Sequence, residues 1–165
     1  MRSGDRQQLF DLLDNGVFPE QIPWHQEQLL FQEHFVCVCR QNHSQIQDNL
    51  SLEEYIAASH LLISIKEDMV GRVDHLLAKQ GLSRNIAISI PHFLVAPVIL
   101  ARTDLISTLA TRVAIAFAQD LNLKVLPCPL PMESFSVFMR WHQSNRDHGT
   151  NCWLRNIFAE ISLTI

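Results

Sequence analysis

The chain has 165 residues, the length of one domain or of two small lobes sharing a core. Hydrophobic residues make up 47% and charged residues 18%, a globular composition that excludes a disordered chain. Thirteen Lys and Arg stand against seventeen Asp and Glu, and the first 35 residues carry only 2 basic against 6 acidic side chains, so no part is a basic nucleic-acid surface by count.

A first helix is predicted over residues 5–15, with Asp5 and Gln8 as cap, Leu9, Leu12 and Leu13 as apolar stripe and Gly16 as stop. A connector with Pro19 and Pro23 follows. Residues 31–39 form one strand, apolar on both faces, as in the buried interior of an α/β sheet. Ser51-Leu-Glu-Glu54 is a capping box that starts a short helix. Residues 60–65 read as a strand. Residues 70–80 read as an amphipathic helix with Val70, Val73, Leu76 and Leu77 on one face, closed by Gly81. Ile86, Ile88 and Ile90 alternate as a strand. The next helix covers residues 93–101, with Pro97 in its first turn, where a missing N–H costs nothing. A strand over 105–109 and a helix over 112–119 follow. Residues 125–130, with prolines close by, form an edge strand or connector. Residues 134–141 form a strand with Phe135, Val137, Met139 and Trp141 on one face. The last helix spans 151–161, its buried stripe being Trp153, Leu154, Ile157, Phe158 and Ile161. Strands alternating with helices predict an α/β fold with mostly parallel strands, whose ligands collect at the C-terminal strand ends.

No apolar run reaches the ~18–20 residues of a membrane span; the longest candidate, residues 93–100, is interrupted by Pro97. The polar start carries no secretory signal. Cys37, Cys39, Cys128 and Cys152 lack C-x-x-C spacing and read as small buried hydrophobes in a reducing cytoplasm. His25, His34, His43, His60, His75 and His148 show no ligand spacing, so no metal and no cofactor are expected. A Gly-x-Ser-x-Gly elbow, a phosphate-binding glycine loop and a His-Glu-x-x-His motif are all missing, and an enzyme is not expected.

An ordered set of stretches resembles the effector-binding domain of LysR-type transcriptional regulators. Gln7-Gln-Leu-Phe-Asp-Leu-Leu-Asp-Asn-Gly16 is similar to the helix before the family's first crossover. Leu30-Phe-Gln-Glu-His-Phe-Val-Cys-Val-Cys-Arg-Gln-Asn-His43 resembles the strand entering the second lobe. Leu50-Ser-Leu-Glu-Glu-Tyr55 with Ala58-Ser-His-Leu-Leu-Ile-Ser64 matches the next helix and strand. Residues 91–109 match the helix–strand pair bordering the pocket. Phe138-Met-Arg-Trp-His142 with Cys152-Trp-Leu-Arg155 is similar to the branch of nodulation and aromatic-degradation regulators. The likeness runs from about Gln7 to Ile161.

The resemblance implies a two-lobed fold of the type 2 periplasmic-binding-protein kind. Its second lobe, residues 30–133, is complete. Its first lobe is partial: residues 1–29, joined by a return crossover and C-terminal part in residues 134–165. A short strand of the Asp-Leu-Ala-Ile-Gly kind is missing between Gly16 and Val17, and the winged helix-turn-helix is not found in these residues. The implied function is to sense a small aromatic effector (an acid, phenol or flavonoid-like molecule) as a homodimer or tetramer, with DNA bound only through that helix-turn-helix. The alternative is an oligomerisation remnant without a competent pocket; a first lobe lacking cover for Leu9, Leu12 and Leu13 predicts low stability or unusual association.

Eight residues are expected to contact the effector. Ser64 and Thr108 end strands, and each offers a hydroxyl. His92 and Phe93 open a helix, with free N–H groups for an anion and a ring for stacking. Val17 and Phe18 lie near the first crossover, and Trp141 and His142 at the return crossover.

Overall fold

The computed structural model describes residues 24–64 and 70–164. The helix expected over 5–15, and Val17 and Phe18, lie outside the described residues.

The chain enters on β1 (His25–Glu33) and passes through His34 into β2 (Phe35–Arg40). The single strand expected over 31–39 is thus two, hinged at His34. There follow α1 (Leu52–Ala57), β3 (Ser59–Ile63), α2 (Arg72–Ala78) and β4 (Asn85–Ile90). A 3-10 turn (Phe93–Val95) leads into α3 (Ala96–Leu100), then β5 (Leu105–Ala110), α4 (Thr111–Ala118) and β6 (Leu123–Pro127). The described chain closes with β7 (Phe135–His142) and α5 (Gly149–Ser162).

Five strands make one sheet in the order β4-β3-β5-β2-β6. β3 pairs parallel with β4 and β5, whereas β2 pairs antiparallel with β5 and β6. The sheet is therefore mixed rather than mostly parallel. Alternation hides the cause: a strand flanked on both sides is apolar on both faces in either direction. The proline-flanked β6 is an edge strand, as expected.

Period-two alternation sends β2 side chains to two cores. Cys37 and Cys39 pack under α1 and α2 with Tyr55, Val73, Leu77, Ile106 and Leu126. Val38 faces α3 and α4 with Leu61, Ala96, Leu100, Leu109 and Ala114. Cys37 and Cys39 are buried as expected, but Cys128 and Cys152 are only half-buried.

Local signals explain the helix ends. Ser51 Oγ accepts the Glu54 N–H at 3.2 Å, and Glu54 Oε2 accepts the Ser51 N–H at 2.8 Å. α2 begins at Arg72, later than expected, leaving Val70 outside it and 55% exposed. Gly81 takes φ +70 past the end of α2, where Leu82 N–H reaches back to Leu77 O at 3.0 Å. Pro97 sits in the first turn of α3.

β1 and β7 form a separate antiparallel ribbon, from His25 opposite His142 to Glu33 opposite Phe135. α5 packs against it at β1. Of the stripe expected to be buried on α5, Ile157 is half-buried, but Trp153, Leu154, Phe158 and Ile161 are outward, with Trp153 62% and Phe158 48% exposed. Apolar periodicity marks a face without saying what covers it. Among the described residues no helix is long and apolar enough to cross a membrane.

Candidate functional site

One end of the sheet holds the hinge and three of the eight expected site residues. β3, β4 and β5 all end there, β2 starts there, and β6 finishes there, with Phe35 opposite Ala110 and Val36 opposite Pro127. The Ser64 N–H donates to Ile90 O at 2.9 Å and extends the β3–β4 pairing to its last residue. Continuing the β3–β5 register, in which Ser59 faces Leu105, brings Ser64 level with Ala110. Phe35 then lies two strand spacings from Ser64, about 10 Å.

β4 turns off the sheet at Pro91. His92 is extended and precedes the 3-10 turn without capping it through its side chain. Its ring is exposed, and Phe93 is 51% exposed beside Leu94 at 69% and Val95 at 44%. An apolar shelf therefore borders this sheet end next to a histidine.

The hinge supplies aromatic rings and cations that the sequence reading did not single out. Phe35 and Phe135, from the two strands that cross the hinge region, stack with ring centroids 4.9 Å apart. The Arg72 guanidinium, at the start of α2, lies 5.6 Å from the centroid of Phe35. Arg112 covers Phe31 at 4.2 Å, donates to Gln32 O at 2.8 Å and approaches the buried Glu33 carboxylate at 3.4 Å. Glu33 also accepts the His34 N–H at 2.8 Å. His34 O in turn accepts from Thr111 N at 2.9 Å and Thr111 Oγ1 at 3.1 Å. The hinge is thus bolted to the first turn of α4. A groove of about 560 Å³ opens beside it, lined by His34, Phe35, Pro127, Cys128 and Met132 among others.

Thr108 lies one step inside this end, on the α1 and α2 face. Its hydroxyl meets Tyr55 Oη at 2.7 Å. Tyr55 Oη accepts Arg84 Nη1 at 3.0 Å, and His60 Nε2 donates to Tyr55 O at 2.7 Å. Burial first, then the Arg84 charge, pushes His60 down to about 4, so it stays neutral. Thr108 therefore belongs to a buried polar network behind the sheet end.

The structure does not bring Trp141 and His142 to this place. They pair with Gln26 and His25 at the far end of the ribbon, six residues from Phe135, or about 20 Å of strand. The Trp141 ring lies under the Arg155 guanidinium at 4.6 Å, and His142 Nδ1 accepts the Ser144 N–H at 3.2 Å. The last strand starts at Phe135, the end of the ribbon nearer the sheet. Ser64, His92 and Phe93 are the expected residues that lie at the hinge end of the sheet. Phe35, Arg72 and Phe135 are additions made by the fold: they are 37 residues and more apart, and no local spacing joins them. Among the described residues no three His, Cys, Asp or Glu side chains are grouped to hold a metal.

Comparison with known proteins agrees with this architecture. The transcriptional activator NahR of Pseudomonas putida is 30% identical over 146 residues, covering 88% of this chain and 49% of NahR. Nodulation protein D 1 of Bradyrhizobium japonicum is 28% identical over 137 residues, covering 82% of this chain and 43% of its own length. The chain thus spans about half the length of the curated relatives it matches, of which one is named as a transcriptional activator and the other as a nodulation protein, neither as an enzyme. A solved structure of a probable transcriptional regulator from Pseudomonas aeruginosa superposes with a TM-score of 0.74 at 26% identity, over 84% of this chain and 46% of that one. The family model for the LysR substrate binding domain matches residues 1–160, and the chain belongs to that family.

Proposed function

We propose that this chain is the ligand-sensing part of a LysR-type transcriptional regulator. It takes a small aromatic effector at the hinge end of the five-stranded sheet and passes that occupancy to a winged helix-turn-helix outside these 165 residues. The reading rests on Ser64, His92 and Phe93 lying at the same end of the sheet as Phe35 and Arg72, where the ribbon leaves it. Phe93 and Phe35 offer ring faces, Arg72 offers a cation to a carboxylate or phenolate, and Ser64 offers one hydroxyl. An effector that touches both sides of His34 binds one hinge setting better than another and shifts the balance between them. The regulator works as a homodimer or tetramer in the cytoplasm, as the family resemblance implies.

Thermal unfolding with and without a panel of aromatic carboxylates, phenols and flavonoids tests this. A ligand at 100 times its Kd adds ~2.7 kcal/mol, a rise of several degrees. A saturable rise that Phe93→Ala removes supports the reading. A cooperatively unfolding chain that no compound shifts overturns it. That result leaves the second reading, an oligomerising remnant, which the outward Trp153, Leu154, Phe158 and Ile161 on α5 favour. Its check is a solution mass above one chain without any ligand.

A further inference from the structure

We propose that His25 and His142 form a two-histidine site for a divalent cation of the zinc class at the far end of the β1–β7 ribbon. This stands apart from the effector reading.

The two histidines stand directly opposite each other in the ribbon register. Just beyond them the Gln143 N–H donates to Trp24 O at 2.7 Å. Hydrogen-bonded and non-hydrogen-bonded pairs alternate along antiparallel strands, so His25 and His142 are a non-hydrogen-bonded pair. Side chains of such a pair share one face and approach most closely. The ring centroids are 5.6 Å apart and the planes stand at 90°. An imidazole nitrogen binds zinc at about 2.0–2.1 Å, which sets each ring centre about 3.2 Å from the ion. At a tetrahedral angle the two centres are then about 5.2 Å apart. The resting rings are already close to that spacing. Both are exposed, and the broad χ2 torsion of histidine lets each turn a nitrogen to the shared point.

The surroundings suit the same ion. Ser144 Oγ lies 2.7 Å from His142 Nδ1, which leaves Nε2 as the nitrogen for an ion. When Nε2 takes the ion, Nδ1 carries the proton and donates it to Ser144 Oγ, the kind of partner that orients metal-bound histidines. Two residues along the same face, Arg140 Nη2 pairs with Glu27 Oε2 at 2.8 Å, so the nearby cation is offset by a carboxylate. Imidazole favours zinc, nickel and copper(II) over magnesium and calcium, and water fills the remaining positions. An ion held here ties β1 to β7 where the chain turns towards the 3-10 turn Gln143–Asn145 and α5.

The test is calorimetric titration of the untagged chain with zinc. The wild type is expected to take one zinc per chain, with X-ray absorption showing two imidazole nitrogens and otherwise oxygen neighbours. His25→Ala is expected to weaken binding at least tenfold while unfolding, without metal, at the wild-type temperature. His142→Ala is expected to lose binding to the same extent. His75→Ala, on the exposed side of α2, is expected to bind as the wild type does. The proposal is overturned by a wild type that takes up no zinc, by full affinity in His25→Ala, or by loss in His75→Ala. Sulfur neighbours, or a solution mass that rises when zinc is added, overturn it as well, because the ion would then sit on cysteines or bridge separate chains.

Discussion

Asp74 grips Arg84 with both oxygens, Oδ1 to Nε at 2.8 Å and Oδ2 to Nη2 at 2.9 Å. The Arg84 side chain is 2% exposed and the Asp74 side chain 17%. The same Asp74 Oδ2 accepts the Gly71 N–H at 2.6 Å, which anchors the start of α2 and with it Arg72. Arg84 also supports Tyr55, and through it Thr108. One ion pair thus connects the buried core to the cation at the hinge. Removing one partner of such a pair leaves the other buried and uncompensated. Asp74→Ala is expected to cost about 3–5 kcal/mol, read from urea unfolding, with a loss below 1 kcal/mol contradicting the role given to it.

The same network sets a pH dependence. His60 is held neutral, its ring bonded to Tyr55 O and to Arg84 and its pKa lowered to about 4. In the unfolded chain it titrates near 6.5. Between those values the unfolded state takes up the proton and the folded state does not, so stability rises with pH there. The contribution is complete above pH 6.5, falls away as pH drops towards 4, and amounts to about 3 kcal/mol. Lowered carboxylates such as Asp74 add a further loss of the same sign at more acid pH. Unfolding midpoints measured from pH 4 to 7 should slope upward, and His60→Gln should flatten that slope. An unchanged slope in the variant would put the titration elsewhere.

Capping gives a smaller, local effect. Both arms of the Ser51–Glu54 box are formed at the start of α1, which carries the buried Tyr55. Ser51→Ala is expected to lower stability by about 1 kcal/mol, with ligand response intact. Calorimetry on the purified variant is sufficient to see it.

How much of this could be read from the chain depends on range. The capping box, Gly81 and Pro97 act over a few residues, and each stands where local chemistry puts it. The hinge at His34 does leave a mark, the polar run Gln32-Glu33-His34 between two apolar stretches, but a polar break inside a strand does not by itself say that the chain changes sheet there. Strand direction was hidden in β2 because Phe35 to Cys39 is apolar on both faces. The α5 stripe had the right period for a helix, but period does not report what lies opposite. The Arg72–Phe35–Phe135 group joins residues distant in sequence, so the sheet order had to be known first. Ser64, His92 and Phe93 were accessible because each ends a strand or opens a helix. Trp141 and His142 were placed by likeness to the return crossover, and the ribbon register sets them opposite Gln26 and His25, at the end of the ribbon away from Phe135.

The hinge clamp makes its own prediction. Glu33 is 3% exposed, and it satisfies the His34 N–H and pairs with Arg112. Glu33→Ala strips both groups of their partner at the one residue between ribbon and sheet. The expected cost is about 1–3 kcal/mol. Proteolysis should quicken at the His34 hinge before global unfolding, since local opening there becomes easier. Uniform cleavage along the chain would argue that Glu33 acts only on overall stability.

Arg72 separates charge recognition from ring recognition at the proposed effector site. Its side chain is exposed and its guanidinium lies over Phe35, so Arg72→Ala should shift unfolding by no more than about 0.5 kcal/mol. A hydrogen bond between charged groups contributes about 1.5–3 kcal/mol, or tenfold and more in affinity. The variant is therefore expected to lose at least tenfold in affinity for an aromatic carboxylate that stabilises the wild type. It should keep most of its affinity for a neutral phenol of the same ring size. Phe93→Ala should weaken both alike, because it removes stacking surface rather than charge. Titration calorimetry of the three proteins with one matched acid–phenol pair decides it. Equal loss of acid and phenol in Arg72→Ala would remove Arg72 from the site and leave the rings alone to carry recognition.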